Sequence, residues 1–137
     1  MILIIDSSGN DNFVIALTSS KGELVAEKLV QGQFINAEKI LPAIEQVMSE
    51  NKIKTSDLSG IGVVAGPGGF TSLRIGIIIA NALSYALKIP IIGFKKDQFN
   101  GLPDLAKKCA KKITKSKIHS VAPFYGREPN ITKPKIK

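Results

Sequence analysis

Short apolar runs open the chain, at residues 2–5, 13–18 and 23–30, and polar turns rich in Gly, Asn and Ser separate them. Runs of this length between turn residues are typical of β-strands. Strands joined by short turns lie side by side and antiparallel. The pattern therefore predicts an antiparallel three-stranded meander.

The spacing of apolar residues changes to a helical period at residue 37. From there the pattern predicts a helix over 37–51, a strand over 61–65, a long helix over 70–87, a strand over 90–94 and a helix over 102–113. Helical crossovers place successive strands parallel in one sheet. The predicted class is α/β with the order β-β-β-α-β-α-β-α, the topology of the actin-like ATPase and ribonuclease-H-like domain. We expect one such domain over 1–113, followed by a basic C-terminal tail over 114–137.

The net charge of +8 is unevenly distributed. Residues 1–94 carry seven Lys or Arg against eight Asp or Glu, whereas residues 95–137 carry twelve against three. A basic segment of this kind can bind phosphates without sequence preference. A lysine-rich surface that only maintains solubility is the simpler interpretation.

Three negative features suggest the cellular setting. The single cysteine, Cys109, cannot form an internal disulfide, no basic leader precedes the first strand, and the longest apolar run is too short to span a bilayer. We therefore expect a soluble cytoplasmic protein with no membrane association.

Two turns carry residue types that bind nucleotides. Asp6, Ser7 and Ser8 end the first strand, where open α/β sheets bind ligands, and the turn containing Gly66 and Gly68 precedes the long helix. The carboxylate could hold a nucleotide's metal, and the glycines would let the backbone approach phosphate. The alternatives are purely structural: Asp6 would accept backbone N–H groups of its own turn, and the glycine turn would only connect strand to helix. The second turn is not a P-loop, since no Gly-Lys-Ser/Thr follows.

The long helix predicted over 70–87 is apolar around its whole circumference, with Arg74 as its only charged residue. One small sheet covers one side of such a helix, so the remainder predicts a protein partner, unless the helix over 37–51 and the basic segment cover it. Gly76, Ala80 and Ser84 recur every four residues and would let a partner helix approach closely. The predicted partner interface consists of Leu41, Ile44, Met48, Phe70, Arg74, Ile77, Ile78, Ala82 and Tyr85.

Catalytic and metal-binding sets are not apparent in the sequence. The chain has one histidine, His119, and one cysteine, which cannot supply a His/Cys metal site or a convincing catalytic triad. We expect no catalytic residues and no metal.

Several motifs resemble one family. The opening Ile4-Ile5-Asp6-Ser7-Ser8 resembles the Ile-Asp-Thr-Ser start of the TsaB (YeaZ-like) proteins, and residues 66–76, Gly-Pro-Gly-Gly-Phe-Thr-Ser-Leu-Arg-Ile-Gly, resemble their signature Gly-Pro-Gly-Ser-Phe-Thr-Gly-Leu-Arg-Ile-Gly. The similarity to this family continues at Leu41-Pro42, at Asp57-Leu58 and in the strand over 90–93. Residues 123–129 resemble the family's C-terminal Pro-x-Tyr-x-Arg-x-Pro. The chain is similar to that family over 1–94 and then passes almost directly to the terminal motif.

The resemblance implies a function in making N6-threonylcarbamoyladenosine at position 37 of tRNAs. It implies a non-catalytic subunit that pairs with a TsaD-like catalytic subunit through the first two long helices, and that a TsaE-like ATPase joins. A homodimer is a further possibility. Contact with tRNA would be indirect or through residues 95–137.

The family's second lobe is the main difference, because most of it has no counterpart in this chain. We therefore expect a shortened member with no cofactor of its own, and ATP or ADP only at the interface of the assembled complex. Two alternatives stay open: a minimal actin-like ATPase or kinase lobe using Asp6 and the glycine turn, and a small basic tRNA-binding module.

Overall fold

A computed structural model describes residues 1–9, 11–31, 37–68, 70–113 and 121–122, with the backbone alone at Ala37 and Phe70. The strands are β1 (Ile2–Asp6), β2 (Asn12–Thr18), β3 (Leu24–Gln31), β4 (Gly60–Gly66) and β5 (Ile91–Lys95). The α-helices are α1 (Ala37–Glu50), α2 (Phe70–Leu87) and α3 (Leu102–Ile113). Single 3₁₀ turns lie at Thr55–Asp57 and Lys96–Gln98.

The strands form one five-stranded sheet in the order β3-β2-β1-β4-β5. Antiparallel pairs join β1 to β2 and β2 to β3, whereas β4 is parallel to both β1 and β5. This is the predicted meander followed by helical crossovers, so the predicted element order and topology are confirmed. The predicted strand ends differ from the observed ones by at most one residue, as is usual at fraying termini.

The helices form a layer on each face of the sheet. On one face, the side chains of Leu3 and Ile5 in β1 and of Ile61 and Val63 in β4 join the buried apolar residues of α1 and α2. On the other face, alternate side chains of β1, including Ile4, pack with the buried stripe of α3. Because successive strand residues point to opposite faces, an apolar run such as Ile2-Leu3-Ile4-Ile5 is buried by both layers at once.

Glycine residues in β4 let α3 lie close to the sheet. A Cβ at Gly60 would lie 2.6 Å from Cδ1 of Ile113, and a Cβ at Gly62 would collide with Sγ of Cys109. The Cys109 side chain is fully buried here, and this burial raises the pKa of its thiol to about 12. The thiol is therefore neutral, and Cys109 acts as a small core residue.

A short segment beyond α3 is also packed against the domain. The Asn81 side-chain amide donates to the carbonyl oxygen of Val121 at 2.8 Å, and its oxygen accepts the Val121 N–H at 2.9 Å. Val121 is half-buried against the α1–α2 core, where its side chain lies over Gly93. Residues 121–122 belong to the segment predicted as a tail; the rest of 114–137 lies outside the described residues.

Across the described ranges, α2 included, no helix has the length and hydropathy needed to cross a membrane.

The contact between β4 and α3 gives a test of the packing. We expect Gly62→Ala to lower the free energy of unfolding by about 1–3 kcal/mol, because the added methyl overlaps the Cys109 sulfur. Adding Cys109→Ala should restore most of the loss, since it removes that sulfur. Urea denaturation of the two single variants and the double variant completes the cycle. If the changes in unfolding free energy of the two single variants simply add up in the double variant, the methyl group at position 62 and the Cys109 sulfur are not in contact.

Candidate functional site

The predicted nucleotide residues lie together where β1 ends and α2 begins. Asp6 is half-buried, and its Oδ1 accepts hydrogen bonds from the Ser8 N–H at 3.0 Å and from the Ser8 hydroxyl at 2.5 Å. Ser7 and Ser8 are both buried. The structure thus agrees with the interpretation in which Asp6 closes its own turn, because Ser8 donates both of these bonds.

The glycine turn packs directly against this serine pair. A Cβ at Gly68 would lie 2.5 Å from the Ser8 carbonyl oxygen, so a larger residue would not fit unless the turn moved. Gly66 has a φ of +119°, which favours glycine, and Pro67 follows it through a cis peptide bond. The close backbone approach predicted for this turn therefore occurs at Gly68, and the group next to it is the Ser8 backbone of the neighbouring loop.

Two hydroxyl groups link the same loop to α2. The Ser7 hydroxyl donates to the Ser72 carbonyl oxygen at 2.8 Å, and the Ser72 hydroxyl donates to the Gly9 carbonyl oxygen at 3.4 Å. The carboxyl end of β1 is thereby joined to the first turn of α2.

On its other side Asp6 lines a groove of about 410 Å³ between the sheet and the start of α3. The groove also contains Glu27, Leu29 and Phe99. Sequence analysis missed these residues, although strand register would have found one of them: Asp6 pairs with Val14, which pairs with Leu29 across the meander. In the part of the chain that the structure describes, no three His, Cys, Asp or Glu side chains are arranged to hold a metal ion.

The two sides of α2 have different contacts. Ile77, Ala80 and Ser84 are buried toward the protein's own core, and a Cβ at Gly76 would collide with the Ser7 hydroxyl. The Ser84 hydroxyl donates to the Ile89 carbonyl oxygen at 2.5 Å. The expectation that Gly76, Ala80 and Ser84 receive a partner helix is therefore wrong. These small residues let α2 approach the sheet of its own domain.

Four other residues of α2 form an exposed stripe at helical spacing: Arg74, Ile78, Ala82 and Tyr85. Ile78 is 61% exposed and Tyr85 84% exposed, which is unusual for side chains of this size. Leu41 on α1 is 47% exposed. We call these five residues the α1–α2 face.

The remaining residues predicted for the partner interface lie elsewhere. Ile44, Met48 and Ile77 are buried in the chain's own core, so this part of the prediction is corrected: they support the helices from within. Ile44 and Met48 also line the floor of an open groove of about 420 Å³ beside Leu41. The side chain of Phe70 lies outside the described residues. Arg74 forms no ion pair or hydrogen bond with another described residue, so its predicted role stays a prediction.

With this arrangement established, the sheet order and the three helices define the class of protein: an actin-like, ribonuclease-H-like α/β domain. The family model for TsaD, tRNA N6-adenosine threonylcarbamoyltransferase, matches residues 36–98, from the start of α1 to just beyond β5.

Curated relatives include TsaB proteins and tRNA N6-adenosine threonylcarbamoyltransferases, and a solved YeaZ structure is similar as well. The TsaB protein of Buchnera aphidicola subsp. Schizaphis graminum is 44% identical over 80 residues, which cover 58% of this chain and 36% of that protein. The TsaB protein of Bacillus subtilis is 31% identical over 91 residues, covering 66% of this chain and 38% of the relative. The structure of YeaZ from Pseudomonas aeruginosa superimposes with a TM-score of 0.61 at 26% identity, over 69% of this chain and 42% of that one.

These similarities support a member of the TsaB/YeaZ family. The chain spans less than half the length of these relatives.

The orientation of α2 can be tested by substitution on both sides of the helix. We expect Gly76→Ala to destabilise the isolated chain by about 1–3 kcal/mol, because its methyl group would overlap Ser7. Ile78→Ala, on the exposed side of the same helix, should stay within about 0.5 kcal/mol of the parent. Chemical denaturation measures both. Equal effects would contradict the orientation described.

Proposed function

We propose that this chain is a non-catalytic partner subunit in the formation of N6-threonylcarbamoyladenosine in tRNA, and that it binds a TsaD-like catalytic subunit through the α1–α2 face. The observation that carries the proposal is the exposed apolar stripe of α2. Three of the five large hydrophobic residues that are exposed within the described ranges, Leu41, Ile78 and Tyr85, lie on these two helices.

Exposure of this kind favours a protein partner on energetic grounds. Burying a large apolar side chain contributes roughly 1.5–3 kcal/mol relative to leaving it in water. Interfaces also concentrate their binding energy in a few central residues, among which tyrosine and arginine are common. The α1–α2 face offers both types, at Tyr85 and Arg74.

Similarity to TsaD supports the choice of partner. The segment that matches the TsaD model contains both α1 and α2, so a TsaD-like protein carries a comparable pair of helices. Two similar faces can pack around an approximate two-fold axis, in the way that isologous dimers do. A second copy of this chain would use the same face, which makes a homodimer the competing assembly.

Catalysis by this chain is not part of the proposal. The Asp6 carboxylate accepts two hydrogen bonds from Ser8, and Gly68 is packed against the Ser8 backbone. Both candidate nucleotide elements therefore also have structural contacts, Asp6 within its own turn and Gly68 against the neighbouring loop. The alternative, an ATPase lobe, draws support from the groove that Asp6 and Glu27 share.

Charge placed on the α1–α2 face tests the interface. Ile78→Glu should weaken binding to a TsaD-like protein at least about tenfold, because a carboxylate would be buried at an apolar contact. Leu29→Glu is the matched control, since Leu29 is 56% exposed but lies on β3. Calorimetry measures the affinities, and circular dichroism checks the fold. Equal losses in the two variants, or no binding by the parent chain, would overturn the interface.

Enzymatic turnover gives the second test. We expect the isolated chain to show no steady hydrolysis of ATP above a blank, because among the described residues no three His, Cys, Asp or Glu side chains are arranged to hold the metal that a nucleotide carries. Phosphate release assays with the parent and with Asp6→Ala measure this. Turnover that the Asp6→Ala variant abolishes would favour the ATPase alternative.

A further inference from the structure

The last inference concerns a groove of about 430 Å³ on the layer opposite the α1–α2 face. Four lysines line it: Lys21 from the turn between β2 and β3, and Lys107, Lys108 and Lys111 from α3. We propose that this lysine groove binds the phosphate backbone of RNA. The choice of tRNA as ligand rests on the proposed function, whereas the site itself rests on the geometry below.

Lys21 reaches the groove because its turn is fixed against α3. The Ser19 hydroxyl oxygen accepts the Lys21 N–H at 3.2 Å and the Glu23 N–H at 3.1 Å, which closes the turn. Gly22 has a φ of +90°, and a Cβ there would lie 2.8 Å from Cα of Lys107. Only glycine suits both the backbone angle and the close approach. Lys21 and Lys107 thus line the same groove although they lie far apart in the sequence.

The groove has an excess of positive charge. Asp104 is the one carboxylate among its lining residues, and it forms an ion pair with Lys108 at 3.0 Å. The Asn100 N–H and then Lys108, both hydrogen-bonded to this carboxylate, hold its pKa below the usual value, so it stays ionised near neutral pH. Lys108 also donates to the Gln98 carbonyl oxygen at 3.0 Å. Lys108 and Asp104 therefore compensate each other's charge, and Lys21 and Lys107 give the groove its excess of positive charge.

The lining favours RNA phosphate over other anionic surfaces. Ser20 and Ala110 are the remaining lining residues, so the groove offers no large apolar side chain for insertion into a lipid headgroup layer. It offers no aromatic ring for base stacking either. Lysines act as flexible point charges on phosphates, and such contacts position a nucleic acid without reading its sequence. We therefore expect binding that depends steeply on salt and weakly on base sequence.

The position of the groove makes the two binding events independent. The α3 layer covers one face of the sheet, and α1 and α2 cover the other. An RNA in the lysine groove would leave the α1–α2 face free for a protein partner. The groove also differs from a general effect of the basic segment, since Lys21 lies in the part of the chain without excess positive charge.

Charge reversal at Lys21 is the deciding experiment, with labelled unmodified tRNA as the probe. Lys21→Glu should weaken tRNA binding by the full chain at least about threefold near 100 mM salt and reduce the salt slope by about one. The control is Lys54→Glu, which changes the net charge of the protein by the same amount as Lys21→Glu. Lys54 is exposed and lies shortly after α1, away from the groove. This control should bind like the parent. Lys107→Gln repeats the test from α3, without changing a residue of the turn itself.

Other outcomes overturn the inference. If Lys21→Glu and Lys107→Gln both bind tRNA like the parent, the RNA contact lies elsewhere. If Lys54→Glu loses as much affinity as Lys21→Glu, only total charge matters. Binding of the parent to phosphatidylserine vesicles but not to tRNA would indicate a membrane surface instead. Binding of a TsaD-like protein to Lys21→Glu is measured separately, so failure of the groove leaves the proposed partner interface intact, and the reverse holds for Ile78→Glu.

Discussion

The fold depends on covering a sheet that is buried on both faces with only three α-helices. Every residue of β4 is buried, as is every residue of β1 before Asp6, so each face needs a helical layer. Close approach makes this possible. Gly60 and Gly62 bring α3 onto β4, and Gly76 brings α2 onto the turn after β1. A methyl group at any of these positions would meet a neighbouring side chain, so the three glycines set the separation between helices and sheet.

The exposed stripe of α2 lies on the side of the helix away from this contact. The side that faces the core buries Leu73, Ile77 and Ile79 together with the small residues Gly76, Ala80 and Ser84. Ile75 and Leu83 are half-buried on the flanks, whereas Ile78 and Tyr85 remain outside. With α1 on one side only, the domain has no further element to cover them among the described residues. An exposed surface suited to a partner is thus a consequence of how the core is packed.

Sequence patterns predicted the order of the elements because the chain switches clearly from short apolar runs to helical spacing. They did not predict the orientation of α2, since a helix that is apolar all round has no polar side to mark its outer surface. Small residues at every fourth position suit a helix against a sheet as well as a helix against a helix, so Gly76 was assigned to the wrong contact. The buried side of α3 was easier to predict from the sequence, because paired lysines flank the apolar stripe and leave only one side of the helix that can face the core.

The candidate sites show a second limit of sequence reasoning. Asp6, Ser7 and Ser8 were recognisable as a polar end to a buried strand, but sequence cannot say whether a carboxylate accepts bonds from its own turn or from a ligand. The hydrogen bonds from Ser8 to Oδ1 show that Asp6 does accept bonds from its own turn, and its binding of a nucleotide stays a prediction. The lysine groove gave no local signal at all, because Lys21 and Lys107 become neighbours only through the tertiary contact at Gly22.

The two proposed surfaces differ in what holds them in place. The α1–α2 face rests on α2, whose first turn is joined to the end of β1 by the Ser7 and Ser72 hydroxyl groups. The lysine groove rests on the packing of the β2–β3 turn against α3, which involves neither of those helices. Coupling between distant sites needs an element with two arrangements that both sites influence. The sheet between the layers is continuous from β3 to β5, and no such element connects the two surfaces among the described residues. The geometry therefore favours additive binding of protein and RNA, with each surface contributing its own free energy.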